Sequence, residues 1–254
     1  MVIMDRASVG CVDEPEILET VTDQVATVRL HRPAVRNALS AAMITELPER
    51  LRALDTRDDV RVIVLTGTDP AFCAGVDVKQ LRATLDAGGT FPPLRGGRAA
   101  PVPPLHTPII AAVNGPAITG GLELALACDF IVASDRALFA DTHTHVGLMP
   151  GWGMSVRLVE RIGLARAKEL GITGRRVDAT EALRIGLANH VVPHDELFSF
   201  VGELTATIAA RDPRAVGTLR DLYDQADAQL RAESWAMEQE TSVRWEQAGV
   251  DPSL

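Results

Sequence analysis

Three short runs of aliphatic and β-branched residues set the terms on which this chain can fold. They are Val60–Leu65 (VRVIVL), Pro108–Val113 (PIIAAV) and Asp129–Ala133 (DFIVA), each the length of a strand. Runs this apolar offer no face to water, so they belong to strands covered on both sides. The first leads through the turn-rich Thr66–Gly75 into a helical spacing of Val78, Leu81 and Leu85. The second ends at Asn114-Gly115 and leads into Thr119–Ala127, a helix with almost no polar face. Strand, loop and helix recur in that order, which predicts βαβ-type crossovers and a largely parallel sheet under helices, an α/β fold.

Around this centre the pattern changes character. Gln24–His31 alternates apolar and polar residues, as a half-buried strand does. Ser40 stands as an N-cap before Met43, Ile44, Leu47, Leu51 and Leu54 on one helical face, and Pro48 inside that face predicts a kink or break. Residues 87–104 carry five prolines and four glycines and keep no period, so a flexible loop or lid is expected. From about His194 onward only helical patterns remain, three in number: one through Leu197, Val201 and Leu204, a second from Pro213, and a third through Leu230 and Trp235. The expected organisation is therefore an α/β core over residues 1–195 and a helical region over 196–254 serving as cover and oligomer interface.

Charge and composition exclude several classes of function. The net charge is −9, from 25 basic and 34 acidic residues, which disfavours a general nucleic-acid binder. No apolar run reaches the ~18 residues of a membrane span, so no membrane partner is expected. Met1–Glu19 lacks a basic stretch followed by an apolar block, and a signal peptide is not expected. Three widely spaced cysteines, Cys11, Cys73 and Cys128, fit neither a disulfide framework nor a zinc site, which points to a reducing cytoplasm. Cys73 and Cys128 read as packing residues, and His31 and His106 as structural histidines.

Two glycine-containing turns carry the candidate chemistry. In Asn114–Glu123 (NGPAITGGLE) a strand ends, two glycines follow and a helix opens. Free amides at such an opening attract developing negative charge, although Gly-Gly also serves plain close packing. Glu123 follows Gly120 by three residues, near that helix start, where the dipole favours the ionised carboxylate of a general base. Ala71–Val76 (AFCAGV) presents a second set of amides after another strand. If Val76 and Gly120 converge, their N–H groups make a two-pronged oxyanion hole.

Residues Leu30–Ser40 (LHRPAVRNALS), Phe72–Leu81 (FCAGVDVKQL) and Pro108–Phe130 together resemble the enoyl-CoA hydratase/isomerase (crotonase) superfamily. The likeness continues through Gly147–Gly153, Arg161–Gly163 and Gly186–Pro193, spanning roughly Glu16 to Trp245. It implies a crotonase-like spiral of ββα units with a C-terminal helical region used in a homotrimer or dimer of trimers. It also implies an acyl-CoA thioester as substrate, with coenzyme A part of that substrate and no separate cofactor or metal. By motif position, Val76 and Gly120 become the oxyanion donors and Glu123 the first catalytic glutamate. Val76, Asp77, Val78 and Lys79 then line the substrate, Lys79 being placed for a phosphate, with Ala34, Arg36 and Ala38 near the adenine end. Arg95 and Arg98 in the 87–104 loop are expected in solvent. That loop would shape the acyl pocket, and its composition suggests an adaptable or larger one.

One position departs from the family pattern. The second glutamate of its hydratases falls on His143, flanked by Asp141 and His145 in Phe139–Pro150 (FADTHTHVGLMP). Were this stretch extended, all three side chains would point one way. Histidine exchanges protons near neutral pH, so His143, or Asp141, can take the second proton-transfer role. Otherwise His143 is a structural or specificity residue. Three readings follow: a hydratase adding water to a 2-enoyl-CoA, an enoyl- or dienoyl-CoA isomerase, and a non-catalytic acyl-CoA binding protein.

Overall fold

The computed structural model describes residues 14–97 and 101–248. Cys11, Arg98 and most of Met1–Glu19 lie outside the described residues.

The chain opens with β1 (Ile17–Thr22) and β2 (Val25–Leu30), an antiparallel hairpin. Helix α1 (Ala41–Asp55) follows, started by Ser40, whose Oγ accepts the Met43 N–H at 3.0 Å. Pro48 does not break it: Leu47, Leu51 and Leu54 bury their side chains on either side of the proline and hold the helix in one piece. Then come β3 (Val62–Gly67), α2 (Val78–Asp86), β4 (Ile109–Val113), β5 (Pro116–Ile118), α3 (Gly120–Ala127), β6 (Phe130–Ser134) and β7 (Leu138–Ala140). A short helical turn α4 (His143–Val146), a π-helical turn (Met154–Leu158), α5 (Val159–Ile162) and α6 (Leu164–Thr173) lead to β8 (Val177–Asp178), α7 (Ala179–Arg184) and β9 (His190–Val192). Two helices finish the fold, α8 (Leu197–Ala209) and α9 (Pro213–Ala248).

Six strands form one sheet in the order β1-β2-β3-β4-β6-β9, parallel from β2 onward. A second sheet, β5-β7-β8, lies beside it. The chain repeats one move: a buried strand in the large sheet, a sharp turn, a short second strand, then a helix. The residues after β3 join this repeat, since Cys73 bridges in parallel to Ala117 of β5. This is the spiral of ββα turns, and its core lies between the large sheet and α1 and α3.

Two helical expectations change. The first C-terminal helix is not a loose appendage: Leu197 and Val201 of α8 pack on Val62, Val64, Ile110 and Val132, the other face of the large sheet. The second and third helices are one, the 36-residue α9. It reads as two because its packed face rotates along its length. Arg220 anchors the first half to Asp129, and Trp235, Glu238 and Ser242 bury themselves in the second. Among the described residues, no helix is long and apolar enough to cross a membrane.

Candidate active site

Turns leaving β3 and β5 lie against each other. Ile118 N–H donates to Cys73 O at 2.9 Å and Cys73 N–H to Pro116 O at 3.0 Å. The approach is close enough that a Cβ on Gly121 would stand 2.1 Å from the Cys73 carbonyl oxygen, so Gly121 serves packing. Gly120 faces the cavity instead. A Cβ built there would lie 3.6 Å from the Val76 nitrogen, and one on Gly75, at φ +88, would lie 3.3 Å from the Gly120 nitrogen. The two backbone nitrogens thus lie on turns in close contact, and among the described residues neither N–H finds a backbone acceptor.

The Gly120 amide is aimed by strain in the residue before it. Thr119 has φ 53 and ψ −110, a conformation costly for a β-branched residue. Its own N–H donates to Ala140 O at 2.8 Å, and its hydroxyl accepts the Thr142 N–H at 3.1 Å. Those bonds to the β7 turn hold it there.

Glu123 lies one turn into α3, only 2% exposed. Its Oε1 accepts N–H groups from Trp152 at 3.0 Å and Met154 at 3.2 Å, which leaves Oε2 toward His143 Nε2 at 3.8 Å. Burial pushes the Glu123 carboxyl up to about 7 and the nearby Glu238 charge adds to it, against His143 and the two amides. The helix start therefore does not decide this group's charge; desolvation outweighs it. His143 is buried too. Burial alone would lower its pKa, but the 2.7 Å bond from Asp141 to Nδ1 and the charges of Glu123 and Asp141 raise it.

The stretch carrying these groups is not extended. Residues 143–146 form a helical turn, so the three side chains diverge. Asp141 sits behind His143, also accepting its backbone N–H at 3.2 Å, and does not reach the cavity. His145 turns outward to Thr173 O.

These groups surround a cavity of about 90 Å³, bounded also by Val76, Val78, Leu94, Met149 and Trp152. Helix α9 closes it with Ser242, Trp245 and Glu246. The indole of Trp245 donates to Gly147 O at 2.8 Å, and Glu238 accepts N–H groups from Gly153 and Ser155 at 2.8 and 2.9 Å. Sequence reasoning missed Trp152, Glu238 and Trp245. One signal was present: of the chain's three tryptophans, Trp152 and Trp245 line this cavity and Trp235 packs close to Gly153.

Several residues expected along the substrate lie outside this cavity. Asp77 caps α2 through the Gln80 N–H and pairs with Arg32 at 3.1 Å. Lys79 is exposed on α2 and does not line the cavity. Ala34 and Arg36 are exposed and Ala38 half-buried, in a segment that adjoins the Val76 turn through Ala74 N–H to Arg36 O at 3.0 Å. Arg95 is paired with Glu246 rather than free in solvent. The described part of the 87–104 loop has the expected irregularity but is tied down, with Gly96 N–H donating to Gln239 Oε1 at 3.1 Å and Leu94 on the cavity wall. The cavity it helps bound is small.

A buried acid beside a histidine, lining one cavity with two unbonded backbone amides, is the arrangement that the fold brings together here. The family model for enoyl-CoA hydratase/isomerase matches residues 20–248, and the chain belongs to that family. The crystal structure of an enoyl-CoA hydratase from Mycobacterium smegmatis is similar, with a TM-score of 0.84 and 40% identity over 92% of this chain and 100% of that one. The Bacillus subtilis protein YngF is 41% identical over 203 residues, covering 79% of this chain and 78% of its own. The 2,3-dehydroadipyl-CoA hydratase of Escherichia coli K12 is 33% identical, covering 83% and 82%.

Proposed function

We propose that the chain is an enoyl-CoA hydratase that adds water reversibly across the 2,3 double bond of an acyl-CoA thioester. The observation that carries this is the pairing of Glu123 with His143 at 3.8 Å beneath the Val76 and Gly120 amides. That gap is too long for a good direct hydrogen bond, and a water lying to one side in the cavity can reach both groups.

In the forward direction Glu123 takes a proton from this water as its oxygen bonds to the β-carbon. The π electrons move onto the thioester oxygen, where the Val76 and Gly120 N–H groups hold the enolate. Protonated His143, kept charged by Asp141, delivers its proton to the α-carbon. Glu123 then returns a proton to His143, which restores both groups. His143 thus takes the place of a second glutamate, and Asp141 positions it. The coenzyme A end would run past Ala34, Arg36 and Ala38, whose segment flanks the Val76 turn.

The test is a product assay on 2-enoyl and 3-enoyl thioesters. Formation of 3-hydroxyacyl-CoA supports the hydratase. A double-bond shift without hydroxyl product selects the isomerase, which needs a single base and is favoured by a histidine, rather than a second glutamate, standing next to Glu123.

We further infer a trimer or dimer of trimers in the cytoplasm. Exposed Leu219, Leu222, Tyr223 and Leu230 on α9 support assembly, and free thiols at Cys73 and Cys128 support a reducing compartment. Light scattering of the purified protein tests the first, and fractionation of the source cells the second.

A further inference from the structure

We propose that the indole of Trp152 is a partition that restricts this enzyme to short acyl chains, walling off an apolar annex that a longer chain would otherwise enter. This rests on the thioester reading of the site. Beyond the ring lies a second, solvent-open cleft of about 210 Å³ between α1 and the proline-rich loop. Its walls are mostly apolar, from Ile44, Pro48, Pro92, Pro93 and Pro101, with Thr45 and Arg95 at its margin. Among the described residues, Trp152 is the one that borders both spaces.

The ring is fixed in place. Trp152 is 2% exposed, its backbone N–H is bonded to Glu123, and a Cβ on Gly120 would meet its Cζ3 at 3.2 Å. Its Nε1 is buried with no hydrogen-bond partner among the described residues. An unmet indole N–H is a cost in a buried site, so what the side chain contributes there is volume. Since the Glu123 contact is made by the backbone, the side chain can change while the acid stays anchored.

The experiment measures kcat/KM for trans-2-enoyl-CoA thioesters from crotonyl to hexadecenoyl, in wild type, Trp152→Ala and Trp152→Phe. Wild type and Trp152→Phe should favour crotonyl-CoA and fall off as the chain lengthens. Trp152→Ala should shift the optimum to longer chains, each methylene entering the annex adding about fourfold in kcat/KM. Adding Ile44→Trp, which refills the annex, should cancel that gain while leaving crotonyl turnover of the otherwise wild-type enzyme unchanged. An unshifted optimum in folded Trp152→Ala overturns the proposal. So does a wild type that turns over decenoyl-CoA as well as crotonyl-CoA, a result that needs no variant to fold. If no thioester is hydrated, the hydratase reading fails by itself. Calorimetric affinity for the saturated acyl-CoA series then decides the partition: weaker binding of longer chains in wild type, reversed in Trp152→Ala, upholds it, and equal affinity overturns it.

Discussion

The carboxylate of Glu123 and the imidazole of His143 face each other at 3.8 Å, both buried, with Asp141 bonded to the far side of the ring at 2.7 Å. An acid that burial pushes up to about 7 and a histidine that its carboxylate neighbours push up are thus set on either side of one small space. The chemistry follows from that opposition.

Glu123→Gln keeps an acceptor for the Trp152 and Met154 amides but removes the base. Hydratase kcat should fall at least ~10²-fold, the usual share of general acid–base catalysis. Stability should move the other way. The folded carboxyl holds its proton up to about pH 7 while the unfolded one releases it near 4.5, so this group's contribution declines as pH rises across that window and stays low above it. A thermal melt at pH 8 should therefore place Glu123→Gln at or above wild type. A lower melting temperature there would contradict the raised carboxyl.

The pH profile of kcat/KM should be bell-shaped. Activity rises near pH 7 as Glu123 ionises and falls at higher pH as His143 loses the proton that its neighbours hold. Both limbs belong to the pair rather than to either residue. Glu238→Gln keeps an oxygen acceptor for only one of Gly153 and Ser155 and deletes a charge that raises Glu123, so its acidic limb should lie at lower pH.

Asp141→Asn leaves the cavity wall intact and weakens the hold on the imidazolium. We expect kcat to fall at least about tenfold with KM little changed, and the alkaline limb to move to lower pH. A purely structural role would lower stability without moving that limb.

Asn37→Ala tests the scaffold beneath the Val76 turn. The Asn37 amide donates to Thr68 O and Ala71 O, both at 2.7 Å, and its oxygen accepts the Arg32 N–H at 2.9 Å, from a backbone at φ 55. Alanine strands those buried groups and dislikes the left-handed conformation, so urea unfolding should show a loss of about 2–4 kcal/mol.

How much of this was legible in the sequence follows from where each group sits along the chain. The strands β2, β3, β4 and β6 were readable because a buried strand needs an apolar run, and Ser40 announced α1. Strand β1 was not, since only Ile17 of its six residues is buried and the alternation is lost. Strands β5, β7 and β8 have two or three residues each, too few for any period to register. Gly120 and Glu123 could be read together because they lie three residues apart at one helix start, whereas no local pattern tells that the Val76 turn lies against them. Glu238 reaches Gly153 across 85 residues, and no local pattern encodes such a contact. The sequence left open whether Asp141–His145 runs extended, because a four-residue helical turn leaves almost no signature.

Helix α9 carries greasy, solvent-facing Leu219 and Leu222 toward one end and the Trp245 that shuts the cavity toward the other. At 1.5 Å per residue an unbroken rod of this length reaches ~54 Å. A neighbour gripping its near end would steady the roof over the acid at its far end, and any such contact would bear on substrate entry through a single element.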